Sequence, residues 1–103
     1  MGKPAANLNS VNSGHAGYAP TKANSGSSNV NINGNGALRL GDTFEMHLDY
    51  DGTGSAENHT PESVSGSGTV KINGKEACRL GDAVGGEKCG GKIVLGSSNV
   101  FIG

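Results

Sequence analysis

Valine and isoleucine recur with period two at three places in the chain: Val30 and Ile32, Val70 and Ile72, Val100 and Ile102. Alternation of this kind predicts short strands with one buried face. A second apolar set follows the same period at Leu38 and Leu40, Cys78 and Leu80, and Ala6 and Leu8. Between the first two outgoing and returning runs lie Asn33-Gly34 and Asn73-Gly74. That dipeptide favours a two-residue type I′ turn, because both central residues take positive φ. No segment sustains a helical period, so the expected fold is all-β and built from hairpins.

The hairpins are copies of one unit. Residues 26–42 read GSSNVNINGNGALRLGD and residues 66–82 read GSGTVKINGKEACRLGD, sharing Gly-Ser, Val, Ile-Asn-Gly, Ala and Arg-Leu-Gly-Asp at the same spacing. A third copy is split between the chain ends. Residues 96–103 (GSSNVFIG) supply its first half and residues 2–10 (GKPAANLNS) its second. The break falls where the intact copies have their Asn-Gly turn, which predicts that Gly2 and Gly103 lie close together. Residues 1–103 are then one domain of three equivalent hairpins around a pseudo-three-fold axis. The apolar pairs form four inward layers of three side chains, while Asn29, Asn31, Asn33, Arg39 and Lys71 point outward.

Such a core is thin. Hydrophobic residues are 33% of 103 positions, aromatics 4%, and 19 positions are glycine. Ordering a residue costs roughly 1.5 kcal/mol and burying an aliphatic side chain returns about 1.5–3 kcal/mol, so another source of stability is expected. A disulfide, a metal or a partner can supply it.

The loops between hairpins carry metal-binding residue types in repeat-related slots. His15 lies five residues after Ser10, and His47 five after Asp42; His59 lies seven residues before Gly66, and Cys89 seven before Gly96. Glu87 and Ala19 fill the two remaining slots. The three-fold arrangement gathers His15, His47, His59 and Cys89 on one side of the domain, and four is the coordination number of a closed structural zinc site. Imidazole and thiolate suit zinc, and a full set leaves no position for a substrate water. Cys78 aligns with Leu38 and Ala6 and reads as a small buried core residue, with a Cys78–Cys89 disulfide as the alternative. Arg39 and Arg79 are placed to pair with Asp42 and Asp82 across the repeat, as exposed pairs of little energetic weight.

Charge narrows the function. The net charge is -1 and the lysines are scattered, which disfavours nucleic-acid binding. No apolar run approaches membrane-spanning length, and Met1-Gly2-Lys3-Pro4 is not followed by the apolar stretch of a signal peptide. No catalytic triad, paired-carboxylate setting or phosphate-cradling glycine loop is supported.

The half-repeat G-S-x-x-V-x-I-N-G, the returning A-x-R-L-G-D and the His/His/His/Cys loop residues together resemble the PAAR-repeat family over essentially the whole chain. Pro-Ala-Ala-Arg itself appears only in altered form, as Pro4-Ala5-Ala6-Asn7, Gly36-Ala37-Leu38-Arg39 and Glu76-Ala77-Cys78-Arg79. The resemblance implies a short cone of three hairpins with a zinc near its point, held by His15, His47, His59 and Cys89. It implies a non-enzymatic role: the broad end caps a trimeric β-helical spike, one tip per trimer, and the point leads through a target envelope. The setting would be a contractile bacteriophage tail and its baseplate, or a type VI secretion apparatus loaded in the cytoplasm. The tip would be a monomer before docking and, with the chain ending at Gly103, would carry no toxin extension. Two other classes remain beside it: a small zinc-dependent hydrolase in which water replaces one ligand, and a free-standing adhesin or β-solenoid fragment.

Overall fold

The computed structural model describes residues 2–14, 20–45, 60–86 and 89–103. Among these the fold is all-β and contains no helix. The strands are β1 (Lys3–Pro4), β2 (Asn31–Ile32), β3 (Asn35–Gly36), β4 (Glu62–Ser63), β5 (Lys71–Ile72), β6 (Lys75–Glu76), β7 (Ala83–Gly86), β8 (Cys89–Lys92) and β9 (Phe101–Ile102).

Two hairpins, β2–β3 and β5–β6, close through the expected turns. Asn33 and Gly34 have φ of 54° and 84°, and Asn73 and Gly74 have 56° and 80°. Gly34 and Gly74 would meet nothing with an added Cβ, so glycine is used there for its conformation alone. The third hairpin joins the chain ends: β1 pairs antiparallel with β9, with Lys3 opposite Ile102 and Pro4 opposite Phe101. The equivalent register in the first copy sets Asn35 opposite Ile32 and Gly36 opposite Asn31.

The return strands hand hydrogen bonds round in a closed cycle. Ala6 N–H donates to Cys78 C=O, Cys78 N–H to Leu38 C=O, and Leu38 N–H to Ala6 C=O, each at 3.0 Å. Two residues further along, Leu8, Leu40 and Leu80 donate in the opposite rotation, to Gly36, Glu76 and Pro4. Each copy therefore completes the backbone bonding of the next, and no single hairpin satisfies its polar groups alone.

This interlocking changes the expected core. Ile32, Ile72 and Ile102 face inward, as do Leu38, Cys78 and Ala6. Ala5, Ala37 and Ala77 are buried as well, although simple alternation places them on the other face. Each return strand is bridged to two neighbours, so both of its faces are covered and these alanines are buried. The four-layer expectation is corrected at its ends: Val30 is 37% exposed, Val70 and Val100 are partly buried, and Leu8, Leu40 and Leu80 are half-buried.

Beyond the return strands the loops form a second circuit, which sequence alternation missed. β4 pairs with β7 and β7 with β8. Isolated bridges carry the pairing on from Asn12–Ile93 through Val11–Lys22 and Ala23–Phe44 to Thr43–Glu62, which returns to β4. This circuit encloses Phe44, Ile93, Val84 and Ala23 beneath Leu38, Cys78 and Ala6. Burying Phe44, Val84 and Ile93 contributes about 1.5–3 kcal/mol each.

Candidate functional site

The described residues have two chemically different ends, one made of the hairpin turns and the other, the loop end, of the strands and bridges that flank the predicted ligands.

At the turn end, a serine in each copy organises a seam with its neighbour. Ser27, Ser67 and Ser97 follow the first glycine of each repeat, and each hydroxyl oxygen accepts the backbone N–H three residues on, at 2.9 Å. Each hydroxyl then donates across the seam: Ser27 to Asn73 Oδ1, Ser97 to Asn33 Oδ1 and Ser67 to the Gly103 carbonyl. The turn asparagines donate back, Asn73 Nδ2 to Asn29 Oδ1 at 2.9 Å and Asn33 Nδ2 to Asn99 Oδ1 at 2.7 Å. These serines read in sequence only as repeat markers. Their recurrence directly after the glycine was the available signal for a seam.

Below the seam, Arg39 and Arg79 close a tight turn. Arg39 Nε and Nη2 donate to Asp42 Oδ2 and Oδ1 at 2.9 and 3.0 Å, and Arg79 makes the same pair with Asp82 at 2.9 Å. Backbone N–H groups of Arg39 and Arg79 add bonds of 2.7 and 2.8 Å to the same carboxylates. Asp42 and Asp82 are 4% and 5% exposed. The expectation of exposed pairs of little weight is therefore corrected: these carboxylates are buried, bidentate and within one copy. Gly41 and Gly81, at φ of 91° and 90°, permit the turn. In the split copy both partners change together. Asn7 and Ser10 lose the ion pair and keep a neutral counterpart of the backbone bond, the Asn7 main-chain N–H donating to Ser10 Oγ at 3.0 Å.

At the loop end, His15, His47 and His59 lie outside the described residues, and Cys89 is described by its backbone alone, opening β8. Among the described residues no group of three or more His, Cys, Asp or Glu side chains is placed to hold a metal. The flanks of the four candidate ligands do share one continuous ladder. Ser13 N–H donates to Lys92 C=O at 2.8 Å, and a Cβ on Gly91 would lie 3.0 Å from the carbonyl of Gly14, the residue before His15. Phe44 N–H donates to Pro61 C=O at 2.9 Å, joining the approach to His47 with the exit from His59. Gly86 sits opposite Cys89, and Gly85 opposite Glu62. Buried Asn12 steadies the start of the first loop: its Oδ1 accepts Gly14 N–H at 2.9 Å and Thr21 N–H at 3.2 Å. Imidazole and thiolate, the donor types of the four candidates, are ones that suit zinc.

Cys78 belongs to neither end. It is a free, fully buried thiol, and burial pushes its pKa up to about 11. A disulfide from Cys78 is therefore not formed, and the residue fills core volume as Leu38 and Ala6 do.

Among known families, the PAAR motif matches the chain over residues 53–103. No curated protein matches the chain.

Proposed function

Because the chain is a PAAR-repeat protein, we propose that it is the structural tip of the spike of a contractile injection machine, a phage tail or a type VI secretion apparatus. In this reading the turn end caps a trimeric β-helical spike, one tip per trimer, and the loop end leads through the target envelope. The closed cycle of backbone hydrogen bonds among Ala6, Leu38 and Cys78 carries the proposal. A single chain that repeats one backbone contact three times around a ring offers a three-fold trimer three related faces. An end of a β-helix leaves strand edges and apolar surface uncovered, and a cap with matching edges covers both.

The loop end has a separate task. His15, His47, His59 and Cys89 would hold a zinc ion there, and a bound ion cross-links loops that contain few large apolar side chains. A closed site of four protein ligands provides stiffness and no hydrolytic water, so the role is mechanical rather than enzymatic.

The reading is tested by mixing the purified chain with candidate trimeric spike proteins and imaging the complex. Density for a single tip on the spike end, turns inward, is the expected result. Attachment along the spike shaft, or through the loop end, contradicts it.

A further inference from the structure

The three seams at the turn end are not alike, and the difference defines a cleft. Arg39 Nη1 donates to Asn73 Oδ1 at 3.1 Å, so the guanidinium fills the space between the return strand of one copy and the turn of the next. At the corresponding seam between the split copy and the first copy, the arginine position is Asn7, whose short side chain turns aside and donates to Ile32 C=O at 2.9 Å. The volume Arg39 occupies at its own seam is here an open cleft of about 320 Å³, lined chiefly by Asn7, Asn9, Asn33, Asn35, Leu95 and Ser97.

The acceptor that meets the guanidinium elsewhere is in place. Asn73 Oδ1 accepts two donors, Ser27 Oγ and Arg39 Nη1. Asn33 Oδ1, its counterpart, accepts Ser97 Oγ and no second donor among the described residues. A carboxamide oxygen takes two hydrogen bonds. No charged side chain lines the cleft, so nothing there repels a cation, and Leu95, half exposed at the rim, offers apolar surface to an arginine stem.

We propose that this cleft accepts one arginine side chain from a docked neighbour, its guanidinium donating to Asn33 Oδ1 as Arg39 does to Asn73. That the neighbour is one subunit of the spike rests on the function proposed above; the chemistry of the cleft does not. A three-fold spike presents the same arginine three times, and the cap meets one of them with this cleft, at the seam between the split copy and the first. The cleft then gives the cap an asymmetric contact, whereas Arg39 already closes the equivalent seam.

The test needs no spike protein. L-argininamide, and separately L-lysinamide, is titrated into the protein while the side-chain amide resonances of Asn33, Asn9 and Asn35 are followed by NMR. Saturable shifts with argininamide that exceed those with lysinamide are expected, and Asn7→Arg combined with Ser10→Asp should abolish them by rebuilding the Arg39–Asp42 arrangement in the split copy. A denaturant melt confirms that this double variant folds; should it not, Asn33→Ser, which shortens the acceptor, serves in its place. No saturable shift, an equal response to lysinamide, or shifts that survive in the folded variant would overturn the assignment. Loss of spike binding with the argininamide response intact would instead count against the docking proposal alone.

Discussion

Arg39 Nη1 lies 3.1 Å from Asn73 Oδ1, so a side chain clamped by Asp42 within one copy of the repeat also ties that copy to the turn of the next. Hairpins too short to be stable alone thereby share bonds around a ring. The consequences can be measured copy by copy.

Removing the clamp leaves a buried carboxylate without its cation. Arg39→Ala should cost about 2 kcal/mol in urea unfolding, in the range of hydrogen bonds to charged groups. Arg39→Ala combined with Asp42→Ser should recover part of the loss, because it reproduces the neutral solution of Asn7 and Ser10.

The same pair sets an acid dependence. Burial pushes the Asp42 carboxyl up, but bonds from the Arg39 guanidinium and backbone and from the Ser25 hydroxyl outweigh burial and hold it below its ordinary value. A carboxyl with a depressed native pKa contributes stability that is complete above its unfolded-state pKa and is lost as pH falls through the native value. Urea stability should therefore hold from neutral pH to about 5 and decline below about 4. Asp42→Asn should flatten that decline; an unchanged acid limb would show that other carboxylates govern it.

Two glycines in one hairpin separate conformation from space. Gly34→Ala places an L residue at a φ of 84° with nothing within 4 Å of the new methyl, so its cost should be only the left-handed penalty of about 1–2 kcal/mol. At Gly36 an added Cβ would lie 2.5 Å from the Ser27 carbonyl oxygen. Gly36→Ala must move a backbone seam and should cost about 3 kcal/mol or more. Thermal melts of the two variants in parallel check the order.

The Cys78 thiol should be silent. With burial holding its pKa near 11, the reactive thiolate is scarce at neutral pH and access is blocked. Iodoacetamide labelling followed by peptide mapping should leave Cys78 unmodified in the native protein and modify it fully in denaturant. Rapid native labelling would place the residue outside the core.

Much of this architecture was legible before any coordinates. Asn33-Gly34 and Asn73-Gly74 announced their turns because positive φ selects those residues, and the split copy announced the pairing of the chain ends because its halves match whole copies elsewhere. The alanine layer was not legible: Ala5, Ala37 and Ala77 are buried by neighbouring copies rather than by their own strand, and a two-residue period has no knowledge of a third strand. Phe44 and Val84 lay just beyond the recognised repeat, two residues after Asp42 and Asp82, while Ile93 lies three before Gly96, as Ala23 does before Gly26. Extending the alignment by those few positions would have found the second circuit. The weight of the Arg39–Asp42 pair was misread because spacing reveals a partner and not its burial. His15, His47 and His59 were legible only as repeat slots, and they lie outside the described residues.

The proposed metal site gives the largest expected effect. Zinc should be present at close to one ion per chain, and His59→Ala or Cys89→Ala should remove it. Structural zinc contributes about 10–16 kcal/mol of apparent folding energy in small domains, so metal removal by a chelator should lower the melting temperature sharply. Variants that melt like the parent would remove zinc from the account.

The role as a cap is tested most directly by native mass spectrometry of the chain bound to its trimeric spike. One copy of this chain on three spike subunits is expected, with the complex lost when Asn33 and Asn73 at the turn end are both replaced by bulky residues. Three copies per trimer, or a one-to-one complex with a single spike subunit, would contradict it.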